Sequence, residues 1–332
     1  MSIFFNLPNE RQIAIIELTA DKTDFFPQII EKDLWVTTIL QIVFSLPFAD
    51  KLVFKGGTSL SKVWNVIERF SEDIDLAIDR QHFGFEGDLG VNQLKKLRKK
   101  SSVFVREDFC DALQGAVNQY KIQNLCSVEA EADGGEGEKS YPEPRKIFIR
   151  YKSLFDKMSY LSSEIVLEIG ARSLIEPAVP HTIKSIITEN SNIETSFVNS
   201  NIITAVPEKT FLEKAFLLHE IFTGSGSKIA DRKSRHLYDL EKMMDKEFAV
   251  TDNELWNAIH HHREVFTRIK GVDYTGDIRR RICLIPPQNI INEWKQDYET
   301  MQQTMIYGES LSFDKLIKRI EKLQERFHFS SK

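Results

Sequence analysis

Several features that would narrow the class of this protein are missing from its sequence. No apolar run approaches the roughly 18 residues that a membrane-spanning helix requires, so no span is expected. The opening MSIFFNLPNERQ has no basic start followed by a long apolar stretch, which is not the pattern of a secretory leader. Cysteine is scarce: Cys110, Cys126 and Cys283 are scattered and form no CxxC pair. That excludes a disulfide framework, makes structural zinc unexpected, and fits free thiols in a reducing, cytoplasmic setting. There is no internal repeat, and so no solenoid. There is also no excess of positive charge, since 44 Lys and Arg against 49 Asp and Glu leave a formal net charge of −5. A basic coat for nucleic acid is thereby excluded, whereas a local basic groove is not.

What is present is a chain of 332 residues, 42% hydrophobic and 28% charged, long enough for one large domain or two ordinary ones. Helical patterning covers 7–47, with a second helix starting near Pro27. A short strand is expected at 51–55, a helix at 58–70 with Leu60, Val63, Trp64 and Ile67 at three-to-four spacing, and a strand at 73–79. A long basic helical stretch follows at about 91–121. Strands are expected at 124–130, 145–152 and 164–171, then a loop punctuated by Pro177 and Pro180. From about 205 the pattern becomes helical to the end, interrupted by GSGS at 224–227 and by Pro286-Pro287. Its first helix carries a stripe of Phe211, Ala215, Leu218 and Phe222. The layout is a mixed α/β half, 1–195, and a helical half, 196–332, with the boundary in the region 190–205. Charge is uneven. KKLRKK at 95–100 reads as a solvated helix face, and EAEADGGEGE at 129–138 as a hairpin or disordered loop.

The chemistry concentrates in FKGGTSLSKVWNVIERFSEDIDLAI, residues 54–78. Gly56 and Gly57 let the backbone approach a ligand closely. The turn opens a helix whose free N–H groups and dipole attract an anion such as phosphate. Thr58 and Ser59 are placed to cap that helix and to donate to the phosphate. Asp73 and Asp75 are two apart in a strand and therefore point to one face. Two carboxylates there repel each other unless a divalent cation lies between them. All-oxygen ligation suits Mg²⁺, which also bridges substrate phosphates. Strand, Gly-Gly-Thr-Ser, helix and Asp-x-Asp, in that order, describe metal-assisted phosphoryl or nucleotidyl transfer. Taken singly, each piece also reads as an ordinary turn or edge strand.

The run GGTSLSKVW…RFSEDIDLAI resembles the signature of the DNA polymerase β-type nucleotidyltransferase superfamily. Within it the sequence is most similar to the AbiEii/AbiGii toxins of type IV toxin–antitoxin and abortive-infection systems. Glu31-Lys32-Asp33-Leu34-Trp35-Val36, Thr210-Phe211-Leu212-Glu213-Lys214 and Arg235-His236-Leu237-Tyr238-Asp239-Leu240 agree with it in order, over roughly residues 28–245. One departure is the 15 residues between Gly57 and Asp73, long for the superfamily, which implies an extra turn in the intervening helix. The resemblance implies an α+β fold: a small mixed sheet flanked by helices, and a helical C-terminal domain completing the active cleft. It implies an NTP substrate, Mg²⁺ or Mn²⁺, an RNA acceptor with the tRNA 3′ end foremost, and a separately encoded antitoxin as partner.

Further site residues are expected on that basis. A third carboxylate for the metal or for proton transfer is best matched by Glu168, then Glu164, both on one strand face; the plain alternative for Glu168 is a salt bridge to an arginine such as Arg172. Lys214 would bind the triphosphate, with Lys209 a weaker candidate. Arg232, Lys233, Arg235 and His236 form a basic cluster. Arg235 and Asp239 are placed in the cleft by the resemblance, while their i,i+4 spacing also fits a simple helix-surface pair. Lys55 and Ser71 stand near enough in sequence to touch phosphate, while Lys62, about one turn into the helix, reads more readily as a surface residue. Glu31, Lys32 and Asp33 are expected to hold the N-terminal helices onto the core. His260, His261 and His262 point about 100° apart on a helix and cannot converge on one ion. Two other functions fit the same residues: nucleotidylation of a protein or small molecule, and a nucleotide-binding module without turnover. The runs at 95–100 and 232–236 would contact an RNA backbone under the first reading.

Overall fold

The computed structural model describes residues 4–23, 25–71, 73–133, 141–156, 162–195, 201–226, 230–249 and 252–329. Helix α1, Asn9–Thr23, leads to α2, Pro27–Val43, which begins on a proline whose missing N–H is no loss in a first helical turn. Helix α2 is buried over nearly its whole circumference, its polar Glu31, Lys32, Thr37, Thr38 and Gln41 included. Strand β1, Leu52–Lys55, runs into helix α3, Gly56–Lys62, and strand β2 follows at Asp73–Ile78. Helices α4, Val91–Phe104, and α5, Cys110–Gln119, are joined through a π-helical turn at Val105–Phe109. Then come β3, Cys126–Ala130; β4, Arg145–Tyr151; β5, Glu164–Gly170; β6, Ala178–His181; the short helix α6, Ile186–Asn190; and β7, Ile202–Ala205.

These strands form one seven-stranded mixed sheet in the order β3-β4-β5-β2-β1-β7-β6. β2 pairs in parallel with β5 and antiparallel with β1, while β7 lies parallel to β1. Side chains alternate across the central strands. Ile74, Leu76, Ile147, Ile149, Ile165 and Leu167 are buried on one face. The other face, only partly buried, carries Asp73, Asp75, Glu164, Glu168, Lys146 and Arg150. A half-exposed, charge-bearing face opposite a dry one is the pattern of a sheet covered by helices on one side.

Three sequence expectations are corrected here. The helix expected over 58–70 ends at Lys62, and Asn65 has a left-handed φ of 51°, which an α-helix cannot continue through. The long spacing before Asp73 is therefore not an extra helical turn. The stretch after Pro177, expected as a loop, contains edge strand β6; Pro180 fits there because an edge strand need not donate every N–H. Strand β7 falls within the expected boundary region. Residues 134–138 of the acidic stretch and Ser227 of GSGS lie outside the described residues, as do 196–200 next to the expected boundary.

The chain folds as two compact units, Met1–Val63 with Glu72–Ala205, and Trp64–Ser71 with Val206–Lys332. The first holds the sheet. Its N-terminal helices are held by the three consecutive ionic residues of α2. Glu31 accepts from Ser153 Oγ at 2.6 Å and from the Leu154 N–H at 2.8 Å. Lys32 Nζ donates to the Ser162 carbonyl at 2.8 Å, and Asp33 pairs with Lys62 and accepts from the Ile186 N–H at 2.7 Å. These residues are structural, as expected, and Lys62 is committed to that ion pair.

The second unit is helical: α7, Pro207–Thr223; α8, Arg235–Met243; α9, Asn253–Phe266; α10, Ile291–Thr304; α11, Phe313–Phe329. The stripe Phe211, Ala215, Leu218 and Phe222 is buried, with Phe222 edge-on to Trp294 at 4.8 Å between centroids. The three histidines of α9 diverge. His260 Nε2 bonds to the Tyr274 carbonyl at 2.9 Å, and His262 stacks on Phe266. Segment Trp64–Ser71 is sewn into this unit. The Phe70 N–H donates to Met305 O at 2.7 Å, the Tyr307 N–H donates to Glu68 O at 3.1 Å, and Arg69 bridges to Ile306.

Candidate active site

Local geometry at the glycines follows from the strand beside them. Lys55 is level with Asp75 across the β1–β2 ladder. Gly56 turns the chain there with a φ of +78°, a left-handed conformation that glycine adopts without penalty. A Cβ at Gly56 would overlap the Asp75 carboxylate, with Oδ2 nearest. The glycine is thus required twice, for its φ and for the space it leaves beside Asp75.

The hydroxyls that follow are turned inward. Thr58 Oγ1 donates to the Asp73 carbonyl, and Ser59 Oγ donates to the Gly56 carbonyl at 2.8 Å. Both residues are buried, and no side chain caps the start of α3. The capping role expected of Thr58 and Ser59 is therefore not what they do: Thr58 braces the loop against the start of β2, and Ser59 ties the first turn back to Gly56. Gly57 is buried in the first turn of α3.

Asp73 and Asp75 lie on one face of β2, as their parity requires, and Asp75 is level with Glu168 in the parallel β2–β5 register. Glu168 faces Lys146 on β4, with Nζ to Oε1 at 2.9 Å. The pairing partner is this lysine; Arg172 instead donates to the Glu143 carbonyl at 2.9 Å. Glu168 raises the pKa of Lys146, mainly through their hydrogen bond, with Asp73 and Glu131 adding to the effect against partial burial. Glu164 is held by Arg150 Nε at 2.7 Å. Sequence reading missed Lys146. Its signal is a cross-strand one, visible only once β4 is known to pair antiparallel with β5.

Among the described residues no three His, Cys, Asp or Glu side chains already converge as a metal site. The donor set nonetheless fits a hard divalent cation. Asp73 and Asp75 supply carboxylate oxygens on one face, and the missing side chain of Gly56 lets the Asp75 carboxylate lie against the loop backbone.

The helical unit carries a second cluster. Asp239 on α8 receives two hydrogen bonds from Arg69, Nε to Oδ1 at 2.6 Å and Nη2 to Oδ2 at 2.7 Å. Lys214 Nζ on α7 reaches Oδ2 at 2.9 Å. Arg69 and Asp239 are 1% and 0% exposed, so the fork is fully desolvated and its geometry is strongly specified. Burial opposes the charge on Asp239, but Arg69 and Lys214 outweigh it and hold the carboxyl well below its ordinary range. Burial likewise pushes the Lys214 ammonium down, against the pull of Asp239. Next in α8, His236 is kept neutral by burial and by the charges of Lys214 and Arg235.

Arg235 makes no ion pair among the described residues, so its i,i+4 spacing to Asp239 is not used. The cluster therefore sets three cations, Arg69, Lys214 and Arg235, against one carboxylate. Lys209 is fully buried near the start of α7. Arg232 and Lys233 precede α8, where the Arg232 N–H donates to Asp297 Oδ1 at 2.7 Å. Arg69 was not foreseen, because its partner lies 170 residues away in sequence.

Comparison with known proteins adds the following. The family model described as nucleotidyl transferase AbiEii toxin, type IV toxin–antitoxin system, matches residues 39–319, a span that includes every candidate site residue from Gly56 to Asp239. Among solved structures, MenT4, a nucleotidyltransferase toxin from Mycobacterium tuberculosis H37Rv, is similar at a TM-score of 0.49 and 15% identity, covering 97% of this chain and 93% of that one. No curated protein matches the chain in sequence. Among the described residues, no helix is long and apolar enough to cross a membrane.

Proposed function

The chain belongs to the nucleotidyl transferase AbiEii toxin family of type IV toxin–antitoxin systems, and from its site we propose transfer of a nucleoside monophosphate from an NTP to the 3′ end of tRNA. The observation that carries this reading is the pair Asp73 and Asp75 on one strand face, with the glycine turn packed directly against the Asp75 carboxylate.

Asp73 and Asp75 would hold a divalent cation, Mg²⁺ or Mn²⁺. When bound, such an ion neutralises phosphate charge and orients the triphosphate for in-line attack. The acceptor hydroxyl oxygen forms a bond to the α-phosphorus, the bond from that phosphorus to its bridging oxygen breaks, and pyrophosphate leaves with the electron pair. The hydroxyl proton goes to a carboxylate. Asp239 is poorly suited to take it, since two cations hold it ionised far below the pKa a general base needs. We assign that step to Glu168, level with Asp75. Asp239 instead lies against Lys214, where its charge opposes the burial that pushes the lysine's pKa down. Lys214 and Arg235 are assigned to the triphosphate, as point charge and guanidinium fork respectively. The backbone at Gly56 and Gly57 approaches the phosphates closely. Thr58 and Ser59 keep that loop in shape.

The test uses the purified protein with Mg²⁺, total tRNA, a protein extract and each α-labelled NTP in turn, beside Asp73→Asn and Asp75→Asn variants. Label on tRNA, absent in both variants, is the expected result and identifies the nucleotide. Label on protein bands alone would replace tRNA with a protein acceptor. As a member of a toxin–antitoxin family, the protein is also expected to act beside a cognate antitoxin in the cytoplasm. Co-expression with the neighbouring reading frame should relieve growth arrest that depends on Asp73.

A further inference from the structure

On α4, KKLRKK at 95–100 is not a plain solvated face. A cleft of about 610 Å³ opens beside it. Its floor is aromatic and apolar: His82, Phe83, Val103 and Phe104. Its rim is cationic, formed by Lys96, Lys99 and Lys100 with Asp108 as the single carboxylate. His82 and the three lysines are exposed. Among the described residues none of the five cations at 95–100 makes an ion pair; Lys99 lies over the Tyr141 ring at 5.5 Å, Lys100 lies over the Phe85 ring at 5.2 Å, and Arg98 donates to the Tyr141 carbonyl. The floor is rigid. The His82 and Phe104 rings meet at 4.8 Å and the Phe83 and Phe104 rings at 5.5 Å, both edge-on, with Phe48 packed behind Phe104 at 5.2 Å.

The cleft is separate from the carboxylates. Arg145, on the buried face of the sheet, donates to Ser102 Oγ of α4 at 3.0 Å. Helix α4 therefore covers the face opposite Asp73 and Asp75. His82 and Phe83 also follow the C-terminal end of β2, whereas Asp73 begins it, and the strand between them spans roughly 17 Å.

We propose that this cleft docks a single-stranded segment of RNA, away from the point of transfer. The exposed His82 ring and the partly exposed Phe104 ring give bases aromatic surface to stack on, and rim ammonium groups without a carboxylate partner attract the backbone phosphates. An apolar ligand would leave the lysines unused, and a simple anion would leave the aromatic floor unused. The inference deepens the proposed function, on which it rests, by giving the acceptor nucleic acid a foothold of its own on the sheet-bearing unit.

The test measures binding of fluorescently labelled tRNA and of a uridine-rich single-stranded oligonucleotide by anisotropy over a salt series. The proteins are the wild type, Lys96→Glu/Lys99→Glu, His82→Ala, and Lys318→Glu/Lys322→Glu on α11 as a control of equal charge change. Lys100 is left intact because its Nζ also donates to the Phe83 carbonyl. The expected result is an affinity loss of about tenfold or more in the cleft double variant, with a salt slope shallower by about 1 to 2. His82→Ala should lose affinity several-fold for the oligonucleotide with its salt slope unchanged. NTP binding by calorimetry should be unaltered in all variants.

Wild-type RNA affinity in the cleft double variant would overturn the inference, as would an equal loss in the α11 control. Displacement of the RNA by polyglutamate at matched charge would also overturn it, pointing to an acidic protein partner instead. If the wild type binds no RNA at all, the docking inference fails by itself; pyrophosphate release dependent on Asp73 and Asp75 then still decides the transfer reading.

Discussion

At the scale of single residues, Gly56 is the least replaceable position. In Gly56→Ala the new methyl group overlaps the Asp75 carboxylate, and the left-handed φ adds on the order of 1–2 kcal/mol of strain. Transfer activity should fall by at least about a hundredfold, and the loss should exceed what the drop in folded fraction explains, as activity and thermal unfolding measured side by side will tell. Lys214 and Asp239 should separate function from stability. Asp239→Ala leaves Arg69 and Lys214 buried without a counter-charge and should cost about 3–5 kcal/mol in denaturant unfolding. Lys214→Met leaves the two-bond Arg69 fork intact, so its unfolding should shift by no more than about 1 kcal/mol while NTP affinity collapses. Equal destabilisation of the two variants would make Lys214 a structural residue. Lys146→Met frees Glu168 and removes a positive charge from the carboxylate face, so Mn²⁺ binding followed by electron paramagnetic resonance should tighten several-fold. Asp73 and Asp75 were legible in the sequence as residues sharing a face, because strand parity alone sets that, whereas Glu168 was marked by the family resemblance and its level with Asp75 came from the strand pairing. Lys146 and Arg69 were not, because one depends on strand pairing and the other on a contact across 170 residues.

At the scale of elements, the sequence was readable where one periodicity ran without competition. Helix α7 shows its stripe, and Phe211, Ala215, Leu218 and Phe222 are buried as that stripe requires. The stretch after Lys62 misled because Leu60, Val63, Trp64 and Ile67 keep helical spacing even though the chain leaves the helix near Asn65. Ile67 is buried and Glu68 and Phe70 bond to the Met305–Gly308 backbone, so those apolar residues serve a different packing than the one their spacing implies. Strand β6 was hidden by Pro180, which only an edge position tolerates. Helix α7 also carries a pH signature. Burial, helped by Arg281, lowers the pKa of His219 to about 4, and its Nδ1 accepts the Cys283 N–H at 3.1 Å. A histidine with a depressed folded-state pKa binds fewer protons folded than unfolded. Its stabilisation is complete above about pH 6.5 and is lost as the pH falls towards 4, by on the order of 3 kcal/mol. Urea midpoints measured from pH 7 to pH 4 should show that decline, and His219→Gln should flatten it.

At the scale of the whole molecule, two compact units divide the chemistry-bearing residues. The sheet unit holds the glycine turn, Asp73, Asp75 and Glu168; the helical unit holds Lys214, Arg235 and Asp239 with Arg69. The chain passes between them more than once, since Trp64–Ser71 belongs to the helical unit while its neighbours on both sides belong to the sheet unit. That excursion accounts for the long spacing between Gly57 and Asp73, and nothing in local propensity announces it. The central claim is that the α-phosphorus is the centre attacked, and label position tests it most directly. The protein would be incubated with Mg²⁺, total tRNA and the accepted NTP labelled either at the α- or at the γ-phosphate. Label on RNA from the α-labelled nucleotide, with γ-label recovered only as pyrophosphate and both lost in Asp73→Asn/Asp75→Asn, is the predicted result. Label on RNA from the γ-labelled nucleotide would mean phosphoryl transfer and would contradict the nucleotidyltransferase mechanism derived from Asp73 and Asp75.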